Sequence, residues 1–234
     1  MDLQIFIIVT AYNEAERIGA TLDALASAFP DGRVLLADDG STDATARIAA
    51  GHGVQVVGLD RMRGKGEAAT LAAREALGHA RASRDPRPVF LLCDGDLGAS
   101  AGALVALTDA VGSGRADVAV AAFSRRVGGG FGLARGFARW AIRRGCGLDT
   151  TAPISGQRAL SATALADVLP FAHGFGMEVG MTIDAVRHGH RLLEVEVELE
   201  HRATGRTFAG FAHRARQLLA FARAYRARGR LAAR

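Results

Sequence analysis

The sequence predicts an α/β protein: a mostly parallel central sheet flanked by helices, followed by a basic amphipathic helix over 208–228. Three observations carry this. Short β-branched or apolar runs recur at 5–10, 34–37, 54–57 and 89–93, each bounded by turn residues. Apolar residues at helical spacing lie between them, as with Ile18, Leu22 and Leu25. A strict strand–helix alternation of this kind builds right-handed crossovers and parallel neighbours.

At 234 residues the chain has room for one large domain with a substantial core. Its hydrophobic content of 49% is ordinary for a globular protein. The net charge is +5, and Lys65 is the sole lysine. Residues 201–234 hold nine arginines and no acid, a segment that attracts phosphates, acidic lipid headgroups or nucleic acid. Cys93 and Cys146 have no metal-type spacing, which fits a reducing compartment with Cys93 as core filling. The first residues read as a strand with no basic n-region, so no signal peptide is expected. No apolar run approaches the ~20 residues needed to span a bilayer. The expectation is a cytoplasmic protein, soluble or peripheral at the inner face of the plasma membrane.

The elements follow in order. After the first strand, Ala11-Tyr12-Asn13-Glu14 is a turn, with a helix starting at Asn13 or Glu14 and broken by Pro30-Asp31-Gly32. The second strand runs into Asp38-Asp39-Gly40, and Ser41 or Thr42 caps a helix over 43–50. The third strand leads to Arg63-Gly64-Lys65-Gly66 and a helix ending near His79. The fourth strand, Val89-Phe90-Leu91-Leu92-Cys93, runs straight into Asp94-Gly95-Asp96.

Chemistry converges at one edge of this sheet. Open α/β sheets bind ligands outside the carboxyl ends of their strands. There the chain places Tyr12 and Glu14, Asp38 and Asp39, Lys65, then Asp94 and Asp96. Two carboxylates at i and i+2 repel unless a cation sits with them, and a hard divalent ion such as Mg2+ or Mn2+, shared with a phosphate, suits oxygen ligands. The glycines around Lys65 make neither a dinucleotide fingerprint nor a P-loop, since the third glycine and the Ser or Thr after lysine are both missing. Lys65 reads either as a counter-charge for phosphate or as a solvated loop lysine.

The stretches VTAYNEAERIGATLDAL, LLADDGSTDATARIA, RGKGEA and LLCDGDL resemble the successive motifs of glycosyltransferase family 2. The resemblance implies a Rossmann-like GT-A fold over 1–207, the basic helix over 208–234 as an appendage, and a metal-dependent hexosyltransferase. It implies a UDP- or GDP-sugar donor whose base and ribose lie against the Ala11–Glu14 and Asp38–Asp39 loops. Asp96 would ligate the metal on the donor diphosphate, and Asp94 would face the ribose or sugar and also ligate the metal. A divalent ion there stabilises the charge gathering on the leaving diphosphate. A sugar nucleotidyltransferase and a non-catalytic nucleotide-sugar or lipid-binding module are the alternatives; the first lacks a Gly-rich triphosphate loop near the first strand.

The second half adds candidates. Residues 101–122 read as a helix and then a strand. Gly128-Gly129-Gly130 makes a lid over the donor or a plain connector. Residues 133–144 form a basic helix with Phe137, Trp140 and Ala141 on its apolar side. The segment from Asp149 to Leu160 resembles the family's acceptor-side stretch, with Ser155 and Gly156 allowing close backbone approach to the transferred sugar. Glu178 opens a helical pattern, as a helix-dipole partner or, by resemblance, as an acceptor contact or general base. Residues 193–199 alternate, with Val195, Val197 and Leu199 inward and Glu194, Glu196 and Glu198 on a solvated face. The pattern from Gly174 onward is similar to glucosyl-3-phosphoglycerate synthases and to polyprenyl-phosphate glycosyltransferases. That similarity makes His201 the third metal ligand and puts Arg202 and Arg206 on the acceptor phosphate. The implied acceptor is a polyprenyl phosphate or a small phosphorylated acid. Contact with anionic membrane through Arg216, Arg223 and Arg230, and a homodimer, complete the expected partners; nucleic acid is not among them.

Overall fold

The computed structural model describes residues 3–83, 87–123 and 132–199. Seven strands form one sheet: β1 (Ile5–Ala11), β2 (Arg33–Asp38), β3 (Gln55–Gly58), β4 (Val89–Asp94), β5 (Val118–Phe123), β6 (Arg158–Ser161) and β7 (Leu192–Val197). Their order is β3-β2-β1-β4-β6-β5-β7. All pairings are parallel except those of β6, which runs antiparallel to both β4 and β5. The inversion matters for the site. With Leu92 opposite Arg158, the chain entering β6 descends from the edge at which β4 ends, so Gly156 and Gln157 arrive beside Asp94.

Strand alternation sorts the core into two layers. Phe6, Ile8, Phe90, Leu92 and Leu160 face α3 (Lys65–Ser83), α6 (Ala162–Val168) and α7 (Met177–Arg187). Ile7, Val9, Leu91, Cys93 and Ala159 face α1 (Ile18–Ala28) and α4 (Val105–Gly112). Phe6 and Phe90 stack with centroids 5.3 Å apart. Each fully buried side chain of this size contributes roughly 1.5–3 kcal/mol. The buried face of α3 is mostly alanine from Ala68 to Ala80, interrupted by Thr70 and Leu77, which lets the helix lie close on the sheet. A smaller cluster joins α5 (Gly132–Cys146) to α7 through Ala138, Ile142, Val179 and Ile183.

Several boundaries differ from the sequence expectation. α1 begins at Ile18 rather than at Asn13 or Glu14. The backbone before it is tied sideways to the next loop: Asn13 N donates to Ser41 Oγ, Glu14 N to Thr45 Oγ1 and Ala15 N to Asp43 Oδ2, while Asn13 takes a left-handed φ of 56°. α2 (Thr45–Gly51) starts after Asp43, and its first N–H is taken by the Asp43 carboxylate, not by Ser41 or Thr42. Residues 98–104 form a 3-10 turn before α4, not part of a single helix. Trp140 lies 52% exposed, whereas Ala134, Ala138, Ala141 and Ile142 form the buried side of α5. Glu194 is not on a solvated face: it accepts from Thr151 N at 2.8 Å and Ala152 N at 3.1 Å, and from the hydroxyls of Thr150 and Thr151. Among the described residues no helix is long and apolar enough to cross a membrane. The glycine-rich run at 128–130, His201, Arg202, Arg206 and the basic helix over 208–228 lie outside the described residues.

Candidate active site

β1, β2 and β4 end together, and a cavity of about 230 Å3 opens at their carboxyl edge. Of the residues expected there, Ala11, Tyr12, Glu14, Asp39, Lys65, Asp94 and Asp96 line it. Tyr12 is 40% exposed at the rim, a ring available to stack on a planar group. Asp38 does not line the cavity. It folds back on its own loop, accepting from Ser41 N at 3.2 Å and from the Ser41 hydroxyl at 2.5 Å.

Asp39 does two things. It faces the cavity, and its carboxylate accepts from the backbone N–H of Arg63 and Gly64, both at 2.8 Å. This clamps the turn leading into α3, whose first residue is Lys65. Gly66 then meets the chain of another segment: an added Cβ would stand 2.0 Å from the Ala172 carbonyl. The second glycine beside Lys65 is therefore required by packing.

Lys65 reaches across the site. Its Nζ donates to Asp94 Oδ1 at 2.6 Å and to Glu178 Oε1 at 3.0 Å. Asp94 also accepts from Thr10 Oγ1 at 3.1 Å and, on Oδ2, from Gln157 Nε2 at 2.8 Å. Burial alone would favour neutral forms of both partners. The opposite charges outweigh it, holding the Asp94 carboxyl below its usual range and the Lys65 ammonium above its own. Lys65 is thus no solvated loop lysine. Both oxygens of Asp94 carry hydrogen bonds.

Asp96 contrasts with Asp94. It is half-buried at the cavity wall, and among the described residues no hydrogen bond or ion pair to its carboxylate is found. An unengaged carboxylate beside a polar cavity fits a hard divalent ion. Among the described residues no group of three or more His, Cys, Asp or Glu is placed to hold one. Asp96 would therefore need ligands from donor, water or residues beyond those described.

Glu178 sits in the first turn of α7, 8% exposed, with one oxygen given to Lys65. Ser155 is buried. Gly156 leaves room for the ion pair: an added Cβ would lie 2.7 Å from Lys65 Nζ and 3.0 Å from Asp94 Oδ2. Thr10, Gln157, Arg158 and Glu194 were not among the expected site residues. Gln157 and Arg158 reach the site through the antiparallel entry of β6, which no spacing in the sequence reveals, while Thr10 comes from β1 and Glu194 from β7.

A family model described as "Glycosyl transferase family 2" matches residues 6–157, about two thirds of the chain. An undecaprenyl-phosphate mannosyltransferase from Micrococcus luteus is 30% identical over 219 residues, covering 87% of this chain and 86% of the relative. Glucosyl-3-phosphoglycerate synthase from Mycobacterium tuberculosis, solved with phosphoglyceric acid, superposes with a TM-score of 0.74 at 25% identity over 97% of this chain and 80% of that one. The same enzyme with Mn2+, UDP and glucosyl-3-phosphoglycerate gives a TM-score of 0.71 at 26% identity, over 95% and 80%. With seven mostly parallel strands between helices, a carboxylate-lined cavity at their carboxyl edge and these matches, the chain belongs to glycosyltransferase family 2 and has its GT-A-like fold.

Proposed function

We propose that this glycosyltransferase moves a hexose from a UDP- or GDP-sugar to an acceptor bearing a phosphate, polyprenyl phosphate first and a small phosphorylated acid second. One observation carries the reading: Tyr12, Glu14, Asp39, Lys65, Asp94 and Asp96 share a single cavity at the carboxyl edge of the sheet. The acceptor order rests on the Micrococcus relative, named for undecaprenyl phosphate and matched along most of its length. UDP and phosphoglyceric acid are what the mycobacterial enzyme is named as holding.

In this reading Tyr12 stacks on the base, while Ala11, Glu14 and Asp39 border the nucleoside. Asp38 keeps the loop in shape. Lys65 and Asp94 form one fixed unit facing the sugar. Asp96 holds Mg2+ or Mn2+, with His201 a further ligand, and the bound ion supplies positive charge where the leaving diphosphate becomes negative. Glu178 Oε2 takes no hydrogen bond from a described residue, so it is the group that touches the acceptor or receives its proton. Ser155 and Gly156 set the floor, and Arg202 and Arg206 meet the acceptor phosphate. The basic helix over 208–234 rests on anionic lipid.

Thermal shift across a panel of nucleotide sugars, with and without Mn2+, tests the donor half. UDP or GDP raises Tm only with metal, and Asp96→Ala abolishes the gain. Stabilisation that ignores metal and survives in Asp96→Ala overturns the role given to Asp96.

A further inference from the structure

Arg158 opens β6 and is the bulkiest of the fully buried side chains, 1% exposed. Its Nε donates to the Ser155 carbonyl at 2.9 Å, and Nη1 donates to Thr182 Oγ1 at 2.9 Å. Thr182 Oγ1 donates in turn to the Glu178 carbonyl at 2.9 Å, one turn earlier on α7. Nη2 is buried with no hydrogen-bond partner among the described residues. No carboxylate lies within ion-pair distance of the guanidinium among the described residues. Burial pulls its pKa down to about 10 against the more distant pull of Glu178 and Glu194, so the group stays charged near neutral pH.

A buried cation with an unsatisfied donor is expensive, and an apolar side chain of similar length would fill the space with less penalty. Stability does not explain Arg158; the two segments it joins do. At one end is the turn at Ser155–Gly156, where room beside Lys65 and Asp94 is so short that a single methyl group does not fit. At the other end is the start of α7, which carries Glu178 to Lys65. We infer that Arg158 is a positioning residue, whose guanidinium sets the gap between the Ser155–Gly156 turn and the Glu178 end of α7 and thereby holds Lys65, Asp94 and Glu178 in one geometry. A shift near 1 Å in either segment breaks a contact of Lys65, and displacements of that size are enough to cost an active site much of its rate. The inference deepens the proposed function and rests on it only for the meaning of the geometry.

Because Lys65 is the sole lysine, its exposure is measurable without substrate. The full chain, free of metal and nucleotide, is treated with an amine-acylating reagent, and Lys65 modification is followed by mass spectrometry. Alkylation of Cys93, buried beside Asp94, reports general opening in parallel. Arg158→Met removes the charge, and Arg158→Gln keeps one donor and folds where Met does not. In a folded variant Lys65 acylation rises by about tenfold, the scale of one lost charge-assisted hydrogen bond, while Cys93 stays as slow as in the parent. Unchanged Lys65 reactivity overturns the inference. So does a joint rise of Lys65 and Cys93, which marks a merely structural residue, and so does failure of both variants to fold. A responsive Lys65 alongside a negative nucleotide panel removes the donor reading and leaves the inference about Arg158 standing.

Discussion

Gly156→Ala separates the site from the fold. The new Cβ would lie 2.7 Å from Lys65 Nζ, so the ammonium must withdraw to an ordinary contact of 3.4 Å or more. Its 2.6 Å bond to Asp94 Oδ1 cannot survive that move in its present form. A charge-assisted hydrogen bond contributes roughly 1.5–3 kcal/mol, and these side chains are 30% and 32% exposed, so screening lowers the loss to about 1–2 kcal/mol. Gly156 has no left-handed φ, and replacing such a glycine restricts the unfolded chain, returning about 0.4–1 kcal/mol. The net change in stability is near 1 kcal/mol, or about 2–4 °C in Tm for a chain of this size. The full 1–2 kcal/mol falls on whatever uses the Lys65–Asp94 unit, so the affinity for UDP with Mn2+ drops about five- to thirtyfold. Calorimetric titration beside a melting curve reads both. Parent-like UDP affinity together with a parent-like Tm would show that the methyl group is absorbed without moving Lys65, and the reasoning would be wrong.

Stability against pH should show the same pair from both sides. The contribution of Asp94, whose folded pKa is depressed, is complete above the ordinary carboxylate value near ~3.9 and disappears as pH falls through the lower folded value. That of Lys65, whose folded pKa is raised, is complete below the ordinary ~10.4 and is lost as pH climbs through the folded value. Urea titrations from pH 3 to 11 check this: Asp94→Asn flattens the acid limb, and an unaltered limb contradicts it. Glu194→Ala strips acceptors from Thr151 N and Ala152 N, costing about 2–3 kcal/mol and lowering Tm by about 5–10 °C; a Tm within 1 °C of the parent refutes the clamp. Replacing Arg216, Arg223 and Arg230 together by glutamine should abolish co-sedimentation with anionic liposomes, and undiminished binding ends the idea of a lipid-seated helix.

Much of the first hundred residues was legible because local pattern and tertiary role coincide there. The apolar run before Asp94 is a strand at the centre of the sheet, and its acids emerge where such strands end. Boundaries failed where side chains outbid the helix for backbone groups, as with Asn13, Ser41 and Thr45. The sharper misreadings came from residues whose partners are remote in sequence. Glu194 looks like any acid on an alternating strand until the loop at 150–152 folds over it. Lys65 reads equally as a phosphate counter-charge or a loop lysine until Gly156, just before β6, leaves space for it against Asp94. Trp140 had the right period for the buried stripe, but the smaller Ala138 and Ile142 suit the tight seam with α7 better.

The sideways ties between the loop after β1 and the loop after β2 bear on how such enzymes change substrate. Asn13, Glu14 and Ala15 hang on Ser41, Thr45 and Asp43, so neither loop has a shape of its own. A chimera that borrows one of them from a homologue inherits half of an interlocked pair and should fold poorly or bind nothing. In the proposed function nucleotide preference is accordingly a two-loop trait, exchanged as a unit or not at all.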